Sequence, residues 1–307
     1  MKILRARHMY RWIVLLAILA LVLSACQTSS ASDSPEAAPV VLASTTFLAD
    51  IARNVAGDRV TVESLLPVGA DPHSYEATPS DVAKIAGCKL LIINGADYEH
   101  FLEPLLENAA GDREVIEASA GLTPRQDADE EHGIDPHLWL DPNNVITYVE
   151  NIREALTHFD PQGAADYQVN AETFSAELKA LDTWIAEQVS QIPPERRLLI
   201  TNHESLNYFA DRYGFTIIGT VIESFSSDAS PSAQQMAELV DQIKASRAPA
   251  ILLDAGDNIA LAQQIAAETG VRVVTDLHLE SLTDGPPAAT YIDMMKHNVT
   301  QIVDALK

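Results

Sequence analysis

The sequence predicts an α/β protein of two lobes, each with a mainly parallel sheet flanked by helices, joined by one long backbone helix. Three observations support this fold class. The chain has 307 residues, 47% of them hydrophobic, so it can bury a substantial core and suits two domains better than one. Short β-rich runs alternate with helical patterns in both halves, which is typical of parallel sheets covered by helices. Between the halves lies a segment with the periodicity of a single long helix.

The two halves repeat the same alternation of elements. In the first half, the predicted strands are 40–44, 60–66, 90–94 and 114–117, and the predicted helices are 46–56, 79–87, 98–110 and 142–159. In the second half, the predicted strands are 198–201, 215–221, 250–254 and 271–275, and the predicted helices are 231–247, 257–269 and 288–306. This repetition predicts two lobes of similar architecture.

The connecting segment 161–193 reads as a rigid helix. Its apolar residues recur at intervals of three, four or seven positions: Tyr167, Phe174, Leu178, Leu181, Ile185, Val189 and Ile192. They therefore lie on one helical face. A flexible hinge would instead need Gly, Ser or Pro, and residues 164–192 contain no proline or glycine.

The N-terminus has the features of a secretory signal. Four basic residues precede an uninterrupted apolar run over residues 12–23, and Leu-Ser-Ala-Cys follows, ending at Cys26. A run of 12 residues is too short for a membrane-spanning helix, which needs roughly 20. The Leu-Ser-Ala-Cys box resembles a bacterial lipobox, which implies that Cys26 is acylated and becomes the new N-terminus.

These boundaries give the predicted organisation of the chain. It comprises a signal peptide (1–25), a lipidated tether rich in Ser, Ala and Pro (26–39), an N-terminal α/β lobe (40–160), a connecting helix (161–193) and a C-terminal α/β lobe (194–307). The protein is expected to be exported, and either lipid-anchored to the outer face of the cytoplasmic membrane or periplasmic.

Charge and cysteine content exclude several function classes. When the four basic residues of the signal leave, the formal charge moves from −24 to −28, which disfavours nucleic acid as a partner. Only Cys88 remains in the mature chain besides Cys26, so neither a structural disulfide nor a cysteine-based metal site is expected.

Three of the nine histidines occupy loop-like sequence beside predicted strands or helices: His73, His137 and His203. Asp-Pro-His occurs twice, at 71–73 and 135–137, and the proline restricts the backbone before each imidazole. In open α/β sheets such loops line the ligand crevice, and imidazole is a common ligand for zinc and related metals. The three histidines are therefore candidate metal ligands.

Residues 71–79 and 135–142 are similar to the metal-binding motifs of the TroA-like family, the zinc and manganese solute-binding lipoproteins of ABC transporters. The similarity covers essentially the mature chain. It implies a receptor, not an enzyme, that captures a divalent transition metal between two lobes joined by one backbone helix. The implied partners are a membrane permease and its separate ATPase subunit, and we expect a monomer.

Carried over by position, the resemblance implies His73, His137, His203 and Asp276 as the metal ligands, two from each lobe. The fourth position is open, because His278 and Glu280 follow Asp276 closely and compete for it. The acidic loop 127–132, with His132, corresponds to a longer His-rich loop in some zinc receptors. A metal-recruiting role and a simple solvated loop are both possible interpretations of it.

Zn²⁺ is the expected cargo, with Mn²⁺ as the alternative. Three imidazoles and a carboxylate suit tetrahedral zinc, whereas manganese prefers more oxygen ligands. Family members selective for manganese tend to have Glu at the position of His203, which also favours zinc.

Two other function classes are weaker. A metallohydrolase of the zincin type fails because Asn207 stands where the second histidine of His-Glu-x-x-His is required. No Gly-x-Ser-x-Gly elbow or phosphate-binding Gly-Lys-Ser/Thr loop is present. A surface adhesin remains an alternative, and it would need no convergent ligands.

Overall fold

The computed structural model describes residues 41–126 and 133–307. The predicted signal peptide, the tether with Cys26, and the acidic loop 127–132 lie outside the described residues. In the described part, no helix is both long enough and apolar enough to cross a membrane.

The N-terminal lobe is a parallel four-stranded sheet with helices packed on it. Its strands are β1 (Val41–Ala43), β2 (Val62–Ser64), β3 (Leu90–Ile93) and β4 (Glu114–Glu117), in the order β2-β1-β3-β4. Its helices are α1 (Thr46–Ala56), α2 (Pro79–Gly87), α3 (Leu102–Asn108) and α4 (Pro142–Phe159). Asp141 caps α4 by accepting the N–H of Asn143, and Pro142 occupies the first turn, where its missing N–H costs nothing.

The C-terminal lobe repeats this topology. Its strands are β5 (Leu198–Thr201), β6 (Thr216–Thr220), β7 (Ala250–Asp254) and β8 (Arg272–Leu277), all parallel and in the order β6-β5-β7-β8. Its helices are α6 (Asn207–Tyr213), α7 (Ala233–Ser246), α8 (Ile259–Thr269) and α9 (Tyr291–Leu306). The predicted fold class, with two parallel sheets flanked by helices, is confirmed.

One long helix joins the lobes. Helix α5 (Ala164–Val189) has 26 residues and extends roughly 39 Å at 1.5 Å per residue. The apolar residues predicted to share a face within it are buried, and α5 packs against α1 and α4 of the first lobe and α9 of the second. One hydrophobic core cluster runs through both lobes and this helix.

Several elements are a few residues shorter than predicted, and two further differences affect the region around the site. Helix α6, with seven residues, was not predicted, although Gly214 at φ 72° supplies the left-handed stop signal. Strand β8 runs to Leu277, two residues further than the predicted 271–275. This extension bears directly on the candidate metal ligands.

Candidate metal centre

His73 lies in the loop between β2 and α2, where the Asp-Pro-His sequence fixes its backbone. The carboxylate of Asp71 accepts the N–H of His73 at 2.9 Å, closing a local turn. The same carboxylate accepts the hydroxyl of Ser227, in the C-terminal lobe, at 2.6 Å. The His73 imidazole faces the second lobe, since its Nε2 lies 3.4 Å from Oε1 of Glu280 there.

His137 is held by the second Asp-Pro-His sequence in the same way. Asp135 accepts the backbone N–H of His137 at 3.0 Å and also its ring Nδ1–H at 2.8 Å. A carboxylate on Nδ1 fixes the tautomer and leaves Nε2 available to a metal. Both side chains are fully buried, so this orientation is strongly imposed.

His203 follows β5, at the carboxyl edge of the C-terminal sheet. The Thr201 hydroxyl donates to the His203 carbonyl at 2.7 Å and fixes the turn. Ligands in parallel α/β sheets bind at this edge, so the position of His203 follows from the fold. Its ring is buried, and its Nε2 is 3.3 Å from Nε2 of His137.

Glu280, three residues beyond the end of β8, completes the cluster. Its Oε1 is 3.4 Å from Nε2 of His73, 3.5 Å from Nε2 of His137 and 2.9 Å from Nε2 of His203. The four ligand atoms all lie within 4.8 Å of one another. Two residues come from each lobe, so the cluster lies at the lobe interface.

The chemistry of these atoms fits a cation. Glu280 Oε1 and His73 Nε2 are buried and have no hydrogen-bond partner among the described residues. Unpartnered buried polar atoms are costly unless something else satisfies them. A divalent ion placed among the three imidazole nitrogens and the carboxylate oxygen would do so.

Asp276 does not join this cluster. Its side chain is 61% exposed, whereas that of Glu280 is 8% exposed. Asp276 is still within β8 and lies instead beside His278 and His297. The structure therefore brings together the three predicted histidines with Glu280, one of the two competitors named from the sequence, and not with Asp276.

Burial and charge set the protonation of the cluster. Burial lowers the pKa of His137, but the hydrogen bond that its ring donates to Asp135 and the contact with Glu280 outweigh burial and raise that pKa to about 9. Burial would raise the pKa of Glu280, yet the three imidazoles hold it well below its usual value. Burial lowers the pKa of His203. Without metal, an imidazolium at His137 therefore faces a carboxylate at Glu280.

Aromatic residues fix the two lobes around the cluster. The Tyr98 hydroxyl donates to Glu280 Oε2 at 3.3 Å, which leaves Oε1 directed at the histidines. The indole N–H of Trp139 donates to the carbonyl of Leu279 at 2.8 Å. The segment carrying Glu280 is thus anchored to the N-terminal lobe through Glu280 itself and through the residue before it.

A cavity leads to the cluster and is rich in carboxyl groups. His203 and Glu280 line it together with Asp254 and Asp257. Burial, followed by the charge of Glu280, raises the pKa of Asp254 to about 7, and burial also raises the pKa of Asp257 to about 7. A cation arriving here would favour the ionised form of both groups.

The positioning roles of Asp71 and Asp135 were not predicted from the sequence. We attributed the repeated motif to proline, but the aspartates make the hydrogen bonds that position each histidine. The sequence did contain a signal for these roles: an Asp two residues before a backbone N–H that it can accept is the pattern of an Asx turn.

Comparisons with known proteins show the family of this chain. Residues 41–305 match the family model described as ZnuA, zinc-uptake complex component A periplasmic. The manganese-binding lipoprotein MntA of Halalkalibacterium halodurans is 34% identical over 293 residues, covering 94% of this chain and 96% of that protein.

Two solved structures share the fold. The Mn-bound periplasmic metal binding protein of Candidatus Liberibacter asiaticus aligns with a TM-score of 0.79 at 30% identity, covering 88% of this chain and 100% of the other. The periplasmic zinc binding protein TroA of Treponema pallidum aligns with a TM-score of 0.81 at 27% identity, covering 87% of this chain and 99% of the other. The chain therefore belongs to the ZnuA/TroA-like family, whose members are extracytoplasmic substrate-binding receptors of metal ABC transporters and not enzymes.

Proposed function

We propose that this protein captures a divalent transition metal between its lobes and delivers it to a membrane permease driven by a separate ATPase subunit. The observation that carries the proposal is the convergence of four ligand atoms, two from each lobe, within 4.8 Å: His73, His137, His203 and Glu280. Because the ligands come from both lobes, binding of the ion depends on how the two lobes are positioned relative to each other. A partner that contacts both lobes can then sense whether the ion is bound.

Glu280 is the proposed carboxylate ligand in place of Asp276. It is buried beside all three imidazoles, and a hydrogen bond from Tyr98 holds its other oxygen. The resulting set of three nitrogens and one oxygen fills a tetrahedral shell. It leaves no obligatory open position for an activated water, which suits capture and not hydrolysis.

The donor set favours Zn²⁺ as the cargo. Three imidazoles with one carboxylate are typical zinc ligands, and Mn²⁺ favours oxygen-rich sites. Mn²⁺ is the second candidate, and a specific observation supports it: the relative at 34% identity is named a manganese-binding lipoprotein, and a similar solved structure is described as Mn-bound.

Competition binding separates these cargoes. Metal-free protein is titrated with Zn²⁺ and with Mn²⁺ against a chromophoric chelator, together with a variant lacking two ligands, His73→Ala/His203→Ala. The expected result is one tightly bound ion at the four-residue cluster, with a lower dissociation constant for Zn²⁺ than for Mn²⁺. The double variant should lose that ion. Tight binding that survives in the double variant would overturn the cluster assignment, and tighter binding of Mn²⁺ would select the second candidate.

We also propose that acylation of Cys26 anchors the exported protein at the membrane surface. The lipobox at Cys26 supports this, and the relative from Halalkalibacterium halodurans is named a lipoprotein. Each buried methylene of an acyl chain adds about 0.8 kcal/mol to membrane binding. Mass spectrometry of the mature N-terminus should find a diacylglyceryl cysteine, and Cys26→Ser should release the protein from membranes. Membrane retention of that variant would contradict the anchor.

A further inference from the structure

A second group of metal-binding side chains lies at the end of β8. Asp276 is in the strand, His278 follows it, and His297 projects from α9. His278 Nε2 is 3.8 Å from Asp276 Oδ1, and His297 Nε2 is 3.4 Å from Asp276 Oδ2. One ligand atom from each residue lies within 4.8 Å of the others. These three residues form the outer cluster.

The His278 ring is held in place with its Nε2 unsatisfied. Asn298 accepts the backbone N–H of His278 at 2.7 Å and donates to its carbonyl at 2.5 Å, which fixes the backbone. The side chain is 11% exposed, and its Nε2 is buried with no hydrogen-bond partner among the described residues. A buried imidazole nitrogen without a partner, directed at a carboxylate and a second imidazole, is the arrangement that a cation satisfies.

His297 has a hydrogen bond that a metal would replace. Its Nε2 lies 2.7 Å from the carbonyl oxygen of Asp276, so in this state Nε2 carries the proton and donates it. The tautomer with the proton on Nδ1 frees Nε2 for a metal without a change of charge. A cation in this position also attracts the carbonyl oxygen, so the lost hydrogen bond is compensated.

We propose that the outer cluster binds a second divalent transition metal through Asp276, His278 and His297. Two imidazoles and a carboxylate are borderline ligands, which select Zn²⁺ or a similar ion over Ca²⁺ or Mg²⁺. Three protein ligands leave positions for water, and Asp276 is exposed, so this ion is held more weakly than one bound by four buried ligands.

The position of the outer cluster gives this ion a role in loading. His73, His137, His203 and Glu280 together are the interlobe cluster. His278 lines the same cavity as His203 and Glu280 of that cluster. An ion held weakly at His278 is therefore stored beside the route to the tighter site. Because the outer cluster lies within the C-terminal lobe, it binds metal whether or not the interlobe cluster does.

The test is a Zn²⁺ titration of the purified full-length protein against chelators of graded affinity. Wild type should bind two ions per chain with distinct dissociation constants. Asp276→Asn and His297→Gln should each weaken the binding of the weaker ion only, by more than about tenfold. Losing a residue that merely hydrogen-bonds to a metal ligand already costs about tenfold in affinity, and losing a ligand should cost more. His100→Gln is the matched control, because His100 is exposed and belongs to neither cluster. This variant should bind both ions with unchanged affinity.

Two results would overturn the outer site. One is a single ion per chain in wild type, and the other is a weaker ion unaffected by both substitutions. The variant His73→Ala/His203→Ala separates this inference from the proposed function, because it should lose the tighter ion and keep the weaker one. Melting temperatures without metal verify that the variants fold, and Asp276→Asn carries little risk because it changes an exposed side chain.

Discussion

The replacement Glu280→Gln tests which carboxylate completes the interlobe cluster. The substitution preserves the shape of the side chain and an oxygen that can accept the hydroxyl of Tyr98. It removes the negative charge that lies 2.9 Å from Nε2 of His203. Asp276→Asn is the matched control, because it makes the same chemical change four residues earlier, in a side chain that is 61% exposed.

The expected loss follows from burial. Removing one partner of a buried ionic contact costs about 3 to 5 kcal/mol. At 1.4 kcal/mol for each factor of ten, Glu280→Gln should weaken the tightest ion by roughly 100-fold to 3,000-fold. An exposed charge contributes about 1 kcal/mol or less, so Asp276→Asn should weaken that ion by about fivefold at most.

Proton competition makes this loss depend on pH. Without metal, the pKa of His137 is about 9, and Glu280 is one of the groups that raise it. At pH 7 the metal must displace that proton, which costs roughly 1.4 kcal/mol per pH unit below the pKa. Glu280→Gln relieves part of this cost, so its measured effect should be larger at pH 9 than at pH 7.

The assay is chelator competition at pH 7 and pH 9 on wild type and both variants. Unchanged affinity in Glu280→Gln, combined with a 100-fold loss in Asp276→Asn, would refute the placement of Glu280 among the ligands. An equal loss at both pH values would refute the proposed protonation of His137. Melting temperatures in the absence of metal show whether each variant folds.

Three further predictions follow from the same geometry. At pH 7.5, metal binding should release about one proton, mainly from His137, and affinity should fall as the pH is lowered below about 9; calorimetry in buffers of different ionisation enthalpy measures this. Asp135→Ala should weaken metal binding by about 10-fold to 100-fold, because the ring of His137 loses the partner on Nδ1; unchanged affinity in a folded variant would contradict that role. Metal at 1,000 times its dissociation constant should stabilise the fold by about 4.1 kcal/mol in melting experiments, and His73→Ala/His203→Ala should remove the interlobe contribution.

The sequence predicted three of the four clustered residues because their positions depend on local chemistry. Each Asp-Pro-His segment contains both the ligand and the groups that constrain it, and His203 comes two residues after the end of a buried strand. Such information lies within a few neighbouring residues, so it is readable without the fold. The central helix could be predicted in the same way, since the apolar residues of its buried face recur with helical periodicity over 26 residues.

The fourth position could not be chosen in this way. Asp276, His278 and Glu280 are spaced two positions apart, with one residue between neighbours, so strand periodicity favours the same side for all three. The choice depends on where β8 ends and on which part of the following segment enters the lobe interface. Trp139 and Tyr98 of the other lobe determine that point, through Leu279 and Glu280, and such long-range contacts are invisible in a local pattern.

The buried interface limits how the lobes can separate when the ion leaves. Helix α5 contacts helices of both lobes, and the core cluster is continuous through it. Near the metal centre, the Tyr291 hydroxyl donates to the carbonyl of Trp139 at 2.6 Å in a buried contact between the lobes. Wide opening would break such buried hydrogen bonds, expose shared core and bend a helix that has no Pro or Gly defect.

The rim of the cavity offers a less costly route. There the lobes are joined by single polar contacts at exposed or partly buried positions, between Ser227 and Asp71 and between Gly69 and Ser281. Each such hydrogen bond contributes only about 0.5 to 1.5 kcal/mol net, and water can replace it. Since these residues also line the cavity that contains Glu280, parting them opens a path to the ion while α5 stays intact. Exchange of the metal should therefore proceed by local movement of the rim loops, with little change in the overall dimensions of the protein.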